Sequence, residues 1–138
     1  MEVQTFEFEY SGKKVTIEHG RMAHQADAAV TARIGDTTVL ATVCMSDSAR
    51  EGMDFFPLMV DYEERYSAVG KIKGPRFMKR EGRPSTEAVL TGRMIDRGIR
   101  PLFPDGLRNE VQVIIMPLSV DGVNKPDVVG MIAATIAL

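Results

Sequence analysis

The sequence predicts an α+β fold, with a β-rich first half followed by a helix, a strand and a second helix. Three observations support this prediction. Polar and apolar side chains alternate over the first sixty residues, a long irregular segment follows, and helical periodicity begins after it. The chain has 138 residues, of which 44% are hydrophobic and 26% charged, as expected for one globular domain.

The first half of the chain is predicted to form strands, most of them in hairpins. Aromatic and acidic residues alternate in the first strand, which is typical of a half-buried strand. Turns at Ser11-Gly12 and Gly35-Asp36 join the first four strands into two hairpins. The fourth is rich in β-branched residues, as a central strand would be. The predicted strands are residues 6–10, 14–18, 29–34, 37–45 and 55–62.

A long loop and a helix come next. Residues 67–84 lack periodicity and contain three glycines and two prolines, which predicts a loop of roughly 15–18 residues, a length typical of functional or disordered loops. Ser85 is a predicted helix N-cap, and Pro101 and Pro104 mark the end of the helix. The apolar stripe of this helix is predicted at Ala88, Ile95, Ile99 and Leu102, flanked by Leu90 and Met94.

The last elements are a buried strand over residues 111–120 and a helix that opens at Pro126 or Asp127. The chain ends inside an apolar run without a helix cap, so we expect residues 1–138 to be an incomplete domain of a longer protein. The alternative is a native C-terminal helix docked in the core. The longest apolar stretch, residues 128–138, is too short to span a bilayer, so no membrane association is expected. The acidic N-terminus is not a signal peptide, and a single cysteine fits a cytoplasmic location.

Charge is distributed unevenly along the chain. The net charge of −2 taken alone argues against a nucleic-acid binder. Residues 71–100, however, contain nine basic and three acidic residues, a local charge of +6, whereas the other 108 residues carry −8. This asymmetry indicates a face for an anionic partner. The alternative is that arginine and lysine simply populate exposed helices.

The junction between the loop and the helix combines the groups that phosphate binding requires. Arg83 precedes the helix N-terminus, whose free N–H groups favour anions, and Gly82 lets the backbone approach closely. Lys79 and Arg80 add positive charge. Phe77 supplies an aromatic ring beside these cations, as in proteins that bind single strands without sequence preference. The alternatives are single-stranded RNA or DNA, a phosphorylated small molecule, or a solvated basic loop with Phe77 packed into the core.

Three arginines are predicted to share one face of this helix. Arg93, Arg97 and Arg100 recur at i, i+4 and i+7, and Asp96 lies close enough to pair with the first or the last of them. The face is either a salt-bridged helix surface, for example at a subunit contact, or a direct substrate contact.

The remaining polar residues predict little chemistry. His19 and His24 lack a third ligand, so no metal site is predicted. Cys44 lies in a β-rich run and is expected in the core. The sequence contains no nucleotide-binding or nucleophile motif, so it predicts anion binding without acid–base machinery. An acidic cluster at a strand end has the oxygen ligands that Mg²⁺ prefers but is expected to be solvated: Asp61, Glu63 and Glu64.

Several longer segments resemble one enzyme family. They include Gly20-Arg21-Met22-Ala23, Asp54-Phe55-Phe56-Pro57-Leu58, Val60-Asp61-Tyr62-Glu63-Glu64, Lys79-Arg80-Glu81-Gly82-Arg83-Pro84-Ser85 and Ile99-Arg100-Pro101-Leu102-Phe103-Pro104. Together they resemble the bacterial polynucleotide phosphorylase (polyribonucleotide nucleotidyltransferase) family over essentially residues 6–138.

The resemblance implies the first ribonuclease PH-like domain of that family, truncated at its C-terminal end. It implies a 3′-to-5′ exoribonuclease that uses inorganic phosphate to release nucleoside diphosphates from single-stranded RNA. Mg²⁺, a homotrimeric ring and RNA degradosome components as partners are implied as well. No catalytic residue is expected in residues 1–138, because the family's phosphate and metal sites belong mainly to its second domain.

Within this segment, the resemblance implies an RNA-channel loop. Its RNA-binding residues would be Phe77, Met78, Lys79, Arg80 and Arg83. Met78 and Lys79 depart from the family's loop, which often has a second aromatic residue and a second arginine there; lysine keeps the charge but lacks the planar fork of arginine. Arg93, Arg97 and Arg100 would be structural or close to phosphate. The alternative is a non-catalytic RNA-binding ring subunit of an exosome-like assembly.

Overall fold

The computed structural model describes residues 2–78 and 80–138, and it confirms the α+β class. Short 3₁₀ helices follow β5 at Tyr66–Val69 and α1 at Arg100–Leu102. Within the described ranges, no helix has the length and hydropathy needed to cross a bilayer. The elements are β1 (Gln4–Tyr10), β2 (Lys13–His19), β3 (Ala28–Ile34), β4 (Thr37–Met45), β5 (Leu58–Tyr62), α1 (Thr86–Ile99), β6 (Val111–Ser119) and α2 (Pro126–Ala137).

The six strands form one mixed sheet in the order β1-β2-β3-β4-β6-β5. Neighbouring strands are antiparallel except for β5, which is parallel to β6. Both predicted hairpins are present, and Gly12 and Gly35 in their turns have positive φ. β5 begins at Leu58 and not at residue 55, because the Leu58 N–H bonds back to the Phe56 carbonyl in a turn and Pro57 has no N–H to donate.

Both helices pack on one face of the sheet. α2 covers β3 and β4, and α1 covers β5. In α2, a Cβ at Gly130 would lie 2.8 Å from Ile115 Cγ2, so the helix backbone approaches the sheet where a side chain is missing. The buried core includes Val15, Ile17, Val39, Val111, Val113 and Ile115 from the strands, and Ile95, Ile99, Val129, Ala133 and Ala134 from the helices.

Several apolar residues expected inside are exposed. Cys44 lies on the face opposite to the helices, because β4 alternates and its neighbour Val43 occupies the helix side. Leu90 and Met94 point away from the buried stripe of α1, and Leu102 follows in the 3₁₀ helix, where the periodicity changes. The prediction of core positions was therefore wrong at Cys44 and Leu102, whereas Leu90 and Met94 only flank the stripe.

The first strand is also more exposed than its pattern predicts. Phe6 and Phe8 pair with the buried Ile17 and Val15, so they lie on the helix side of the sheet. Nevertheless, Phe6 is 57% exposed, because β1 is an edge strand that extends beyond the strands on which α2 packs.

A hydrogen-bonded network joins the β3–β4 turn to the connection between β6 and α2. The Asp121 carboxylate accepts the Thr37 hydroxyl at 3.0 Å and the backbone N–H groups of Val123 and Asn124 at 2.8 and 2.7 Å. The hydrogen bonds from Asn124, first from its backbone and then from its side chain, hold the pKa of Asp121 well below its usual value. The network therefore depends on an ionised carboxylate.

Candidate nucleic-acid interface

The basic loop, defined here as residues 70–84, connects the sheet to the start of α1. Its outgoing leg follows the 3₁₀ helix Tyr66–Val69, in which Ala68 is buried. The Val120 N–H at the end of β6 donates to the Ala68 carbonyl at 3.0 Å. This contact attaches the first end of the basic loop to the sheet.

The second end of the loop is fixed by Ser85, which is the N-cap of α1 as predicted. The Ser85 hydroxyl accepts the Ala88 N–H at 3.0 Å and donates to Glu64 Oε2 at 2.7 Å. Glu64 comes from the residues after β5, so its carboxylate lies next to the N-terminus of α1. The anion at this helix end is therefore the Glu64 carboxylate of the chain itself. The exposed Arg83 precedes the N-cap by two residues.

The acidic cluster at the end of β5 is partly engaged by other side chains. Glu63 forms an ion pair with Arg65, and Glu64 binds Ser85, whereas Asp61 is exposed. Burial, followed by the nearby carboxylates of Asp127 and Glu64, raises the pKa of Tyr62 well above its usual value, so its hydroxyl stays protonated. Among residues 2–78 and 80–138, no three histidine, cysteine or carboxylate side chains converge to hold a metal ion.

The tip of the basic loop extends into solvent. Phe77 is 91% exposed and Met78 is 67% exposed, so the alternative in which Phe77 packs into the core is wrong. The Met78 N–H donates to the Pro75 carbonyl at 3.1 Å and closes a turn. The Arg76 guanidinium lies 5.8 Å from the centre of the Phe77 ring. An open aromatic face beside a cation is the arrangement on which a base can stack.

Two further predicted residues flank this tip with positive charge. Arg80 and Arg83 are both exposed, and neither forms an ion pair within the described part of the chain. Lys79 lies outside the described residues. The loop therefore carries an exposed ring and two exposed arginines within seven consecutive residues of the chain.

The three arginines of the predicted helix face are Arg93, Arg97 and Arg100. The last of them is engaged: it binds Asp96 at 2.7 Å and donates to the carbonyl oxygens of Phe56 and Leu58 at 3.2 and 3.3 Å. The first two are exposed and form no ion pair among the described residues. The face thus divides into a structural arginine at the helix end and two arginines available to an anion.

Sequence reasoning missed two residues that line a cavity at the base of the basic loop: Arg65, which precedes the loop, and Glu81, which belongs to it. Glu81 Oε1 accepts the Tyr66 N–H at 3.3 Å. Glu81 Oε2 and Arg65 Nε are buried and have no hydrogen-bond partner in the described part of the structure. Both residues line a cavity of about 180 Å³ that also borders Arg83 and Ser85. A single acid in the run from Arg76 to Arg83 is the sequence signal that could have indicated such a contact.

Comparison with known proteins gives a family match over most of the chain. Residues 11–138 match the model of the 3′ exoribonuclease family, domain 1. Curated relatives named polyribonucleotide nucleotidyltransferase include those of Pseudothermotoga lettingae, 58% identical over 136 residues, and Heliobacterium modesticaldum, 57% identical over 136 residues. Each alignment covers 99% of this chain, so the resemblance noted from the sequence motifs is confirmed. The chain spans about 19% of the length of these relatives.

Solved structures share the fold at low sequence identity. An Archaeoglobus fulgidus exosome with RNA bound to the active site superposes with a TM-score of 0.66 at 23% identity, covering 91% of this chain and 50% of the other. Rice Rrp46 superposes with a TM-score of 0.65 at 16% identity, covering 90% of this chain and 54% of the other. These likenesses confirm the predicted ribonuclease PH-like fold.

Proposed function

This chain belongs to the 3′ exoribonuclease family, domain 1, and from this membership we propose that its protein is a 3′-to-5′ phosphorolytic exoribonuclease in which this segment guides single-stranded RNA. Relatives named polyribonucleotide nucleotidyltransferase, at 57% and 58% identity, support the enzymatic part. One observation carries the role of the segment itself: the exposed ring of Phe77 is followed within six residues by the exposed Arg80 and Arg83, in a stretch with a charge of +6.

In the proposed reaction, an oxygen of inorganic phosphate attacks the phosphorus of the last phosphodiester bond of the RNA. The bond from that phosphorus to the 3′ oxygen of the preceding nucleotide breaks, and the last nucleotide leaves as a nucleoside diphosphate. We place these steps outside residues 1–138 and assign no catalytic residue here. In this proposal, the exposed residues of this segment bind RNA. Its acids Glu63 and Glu64 are engaged by Arg65 and Ser85.

The proposed binding mode follows from the exposed groups. A base stacks on Phe77 next to Met78, while Arg80 and Arg83 bind backbone phosphates. Lys79 is assigned to the same set from the sequence alone. Arg93 and Arg97 continue the positive surface along α1. Because each phosphate contact releases counterions, RNA affinity should fall steeply with salt concentration.

The cofactor and assembly belong to the proposal as well. The described residues do not fit a Mg²⁺ site, because Glu63 and Glu64 are engaged by Arg65 and Ser85. We therefore assign no Mg²⁺-dependent reaction step to this segment. We assign Mg²⁺ mainly to a second ribonuclease PH-like domain. A cytoplasmic homotrimer, with RNA degradosome components as partners, is proposed from the family resemblance.

The binding part is tested with Arg80→Ala and Arg83→Ala in the protein at its natural length. Arg50→Ala is a matched control: Arg50 pairs with Glu110 next to the start of β6, at the end of the sheet opposite to the loop. Affinity for a short single-stranded RNA should fall by roughly 1–3 kcal/mol for each loop variant and stay unchanged for the control. Equal affinities for all three variants would show that RNA binds elsewhere.

The enzymatic part is tested by phosphate-dependent release of nucleoside diphosphates from a short RNA. Release by the protein at its natural length supports the enzyme, and its absence supports the alternative, a non-catalytic RNA-binding ring subunit of an exosome-like assembly. Release by residues 1–138 alone would overturn the assignment of chemistry to another part of the protein.

A further inference from the structure

Glu81 lies among the proposed RNA-binding residues, yet its side chain points back into the protein. Its neighbours Arg80 and Arg83 are exposed, whereas Glu81 is half-buried. Glu81 Oε1 accepts the N–H of Tyr66, fifteen residues earlier. Tyr66 opens the 3₁₀ helix that is attached to the sheet through Ala68. The returning leg of the basic loop is thus tied to its outgoing leg.

Arg65, the residue before Tyr66, lines the same small cavity as Glu81. Glu81 Oε2 and Arg65 Nε are both screened from solvent and have no hydrogen-bond partner among the described residues. Opposite charges in one such cavity attract, and a carboxylate accepts several hydrogen bonds. The other side of the Arg65 guanidinium is held by Glu63. Glu81 therefore shares a cavity with a cation that Glu63 anchors.

We propose that Glu81 is a positioning residue for RNA, which holds Arg80 and Arg83 in their binding orientation without contacting RNA itself. This inference rests on the proposed function. It predicts the direction in which RNA affinity changes when Glu81 is replaced. Electrostatics alone predicts that removing a negative charge near the phosphates strengthens RNA binding. Loss of positioning weakens it, because the RNA must then order both arginines.

The experiment compares Glu81→Ala and Glu81→Gln with the control Glu87→Gln, in the protein at its natural length. Glu87 is exposed in the first turn of α1 and makes no side-chain hydrogen bond or ion pair within the described residues, so its replacement removes the same charge from the same basic segment. A short single-stranded RNA without added phosphate serves as the probe. Its dissociation constant is measured at several salt concentrations.

Glu81→Ala should raise the dissociation constant roughly three- to tenfold. It should also make the dependence of log affinity on log salt concentration shallower by about one unit of slope, because one phosphate contact is lost. Glu81→Gln should have a smaller effect, because the amide oxygen still accepts the Tyr66 N–H. Glu87→Gln should leave the dissociation constant unchanged or lower it.

Three results would overturn the inference, and they differ in what else they affect. If Arg80→Ala weakens binding while Glu81→Ala behaves like Glu87→Gln, positioning is wrong and the RNA site stands. If Glu81→Ala lowers the melting temperature but keeps the parent salt slope, its role is in stability alone. If Arg80→Ala and Arg83→Ala both have no effect, the proposed RNA site fails and the positioning role fails with it.

Discussion

Replacing Arg100 by alanine should loosen the attachment of β5 to α1. The ion pair with Asp96, partly exposed and four residues apart, contributes about 0.3–0.5 kcal/mol. The bonds to the Phe56 and Leu58 carbonyls, at 3.2 and 3.3 Å, contribute about 0.5–1 kcal/mol each in this partly exposed position. The guanidinium also lies 5.8 Å from the centre of the Phe56 ring, a contact of about 0.5 kcal/mol. The expected loss is about 2 kcal/mol of local stability.

Hydrogen exchange of peptides that cover β5 measures this loss, because Arg100 opposes local opening of that edge strand. A loss of about 2 kcal/mol corresponds to exchange roughly 30-fold faster. Arg97→Ala is the matched control: it removes the same side chain from an exposed position without an ion pair in the described part of the chain, and should cost less than about 0.5 kcal/mol. Equal acceleration by Arg97→Ala, or no acceleration by Arg100→Ala, would refute the structural role of Arg100.

Two further predictions concern the loop tip and the Asp121 network. Phe77→Ala should weaken single-stranded RNA binding by about 1–3 kcal/mol, the worth of one stacked base; Phe77→Tyr should retain it. The melting temperature should not change, since the ring is 91% exposed, and a clear drop would contradict its assignment as a stacking platform. Asp121→Asn should be less stable than the parent protein at pH 7. This difference should shrink as the pH falls below about 4, because a carboxyl with a lowered pKa contributes stability only while it is ionised. Acid-dependent unfolding checks this, and a difference that stays constant into acid would contradict it.

Much of the fold could be predicted because its signals are local. Turn glycines such as Gly12 and Gly35 adopt the positive φ that hairpins need, and Ser85 caps α1 through a bond to a residue only three positions away. Periodicity placed β6 and α2 within a residue or two of their ends. These features depend on the chemistry of neighbouring residues and not on the rest of the molecule.

The parts that sequence could not predict depend on distant residues. Whether Phe6 is covered depends on how far α2 extends across the sheet, which alternation in β1 does not encode. Arg100 and its carbonyl partner Phe56 are 44 positions apart, and nothing in the helical spacing of the arginines distinguishes it from Arg97. The sequence around Glu81 gives no indication of its contact with Tyr66, apart from the negative charge of this residue in a basic segment.

The network around Asp121 also has a consequence for folding kinetics. Thr37 and Asp121 are 84 positions apart, and Lys13 bonds Asn124 across 111 positions. These bonds join segments far apart in the chain, and the closing of such long loops is entropically costly. They are therefore expected to form after the rate-limiting step, so they slow unfolding more than they speed folding. We therefore expect this small cluster of turns to lengthen the lifetime of the native state.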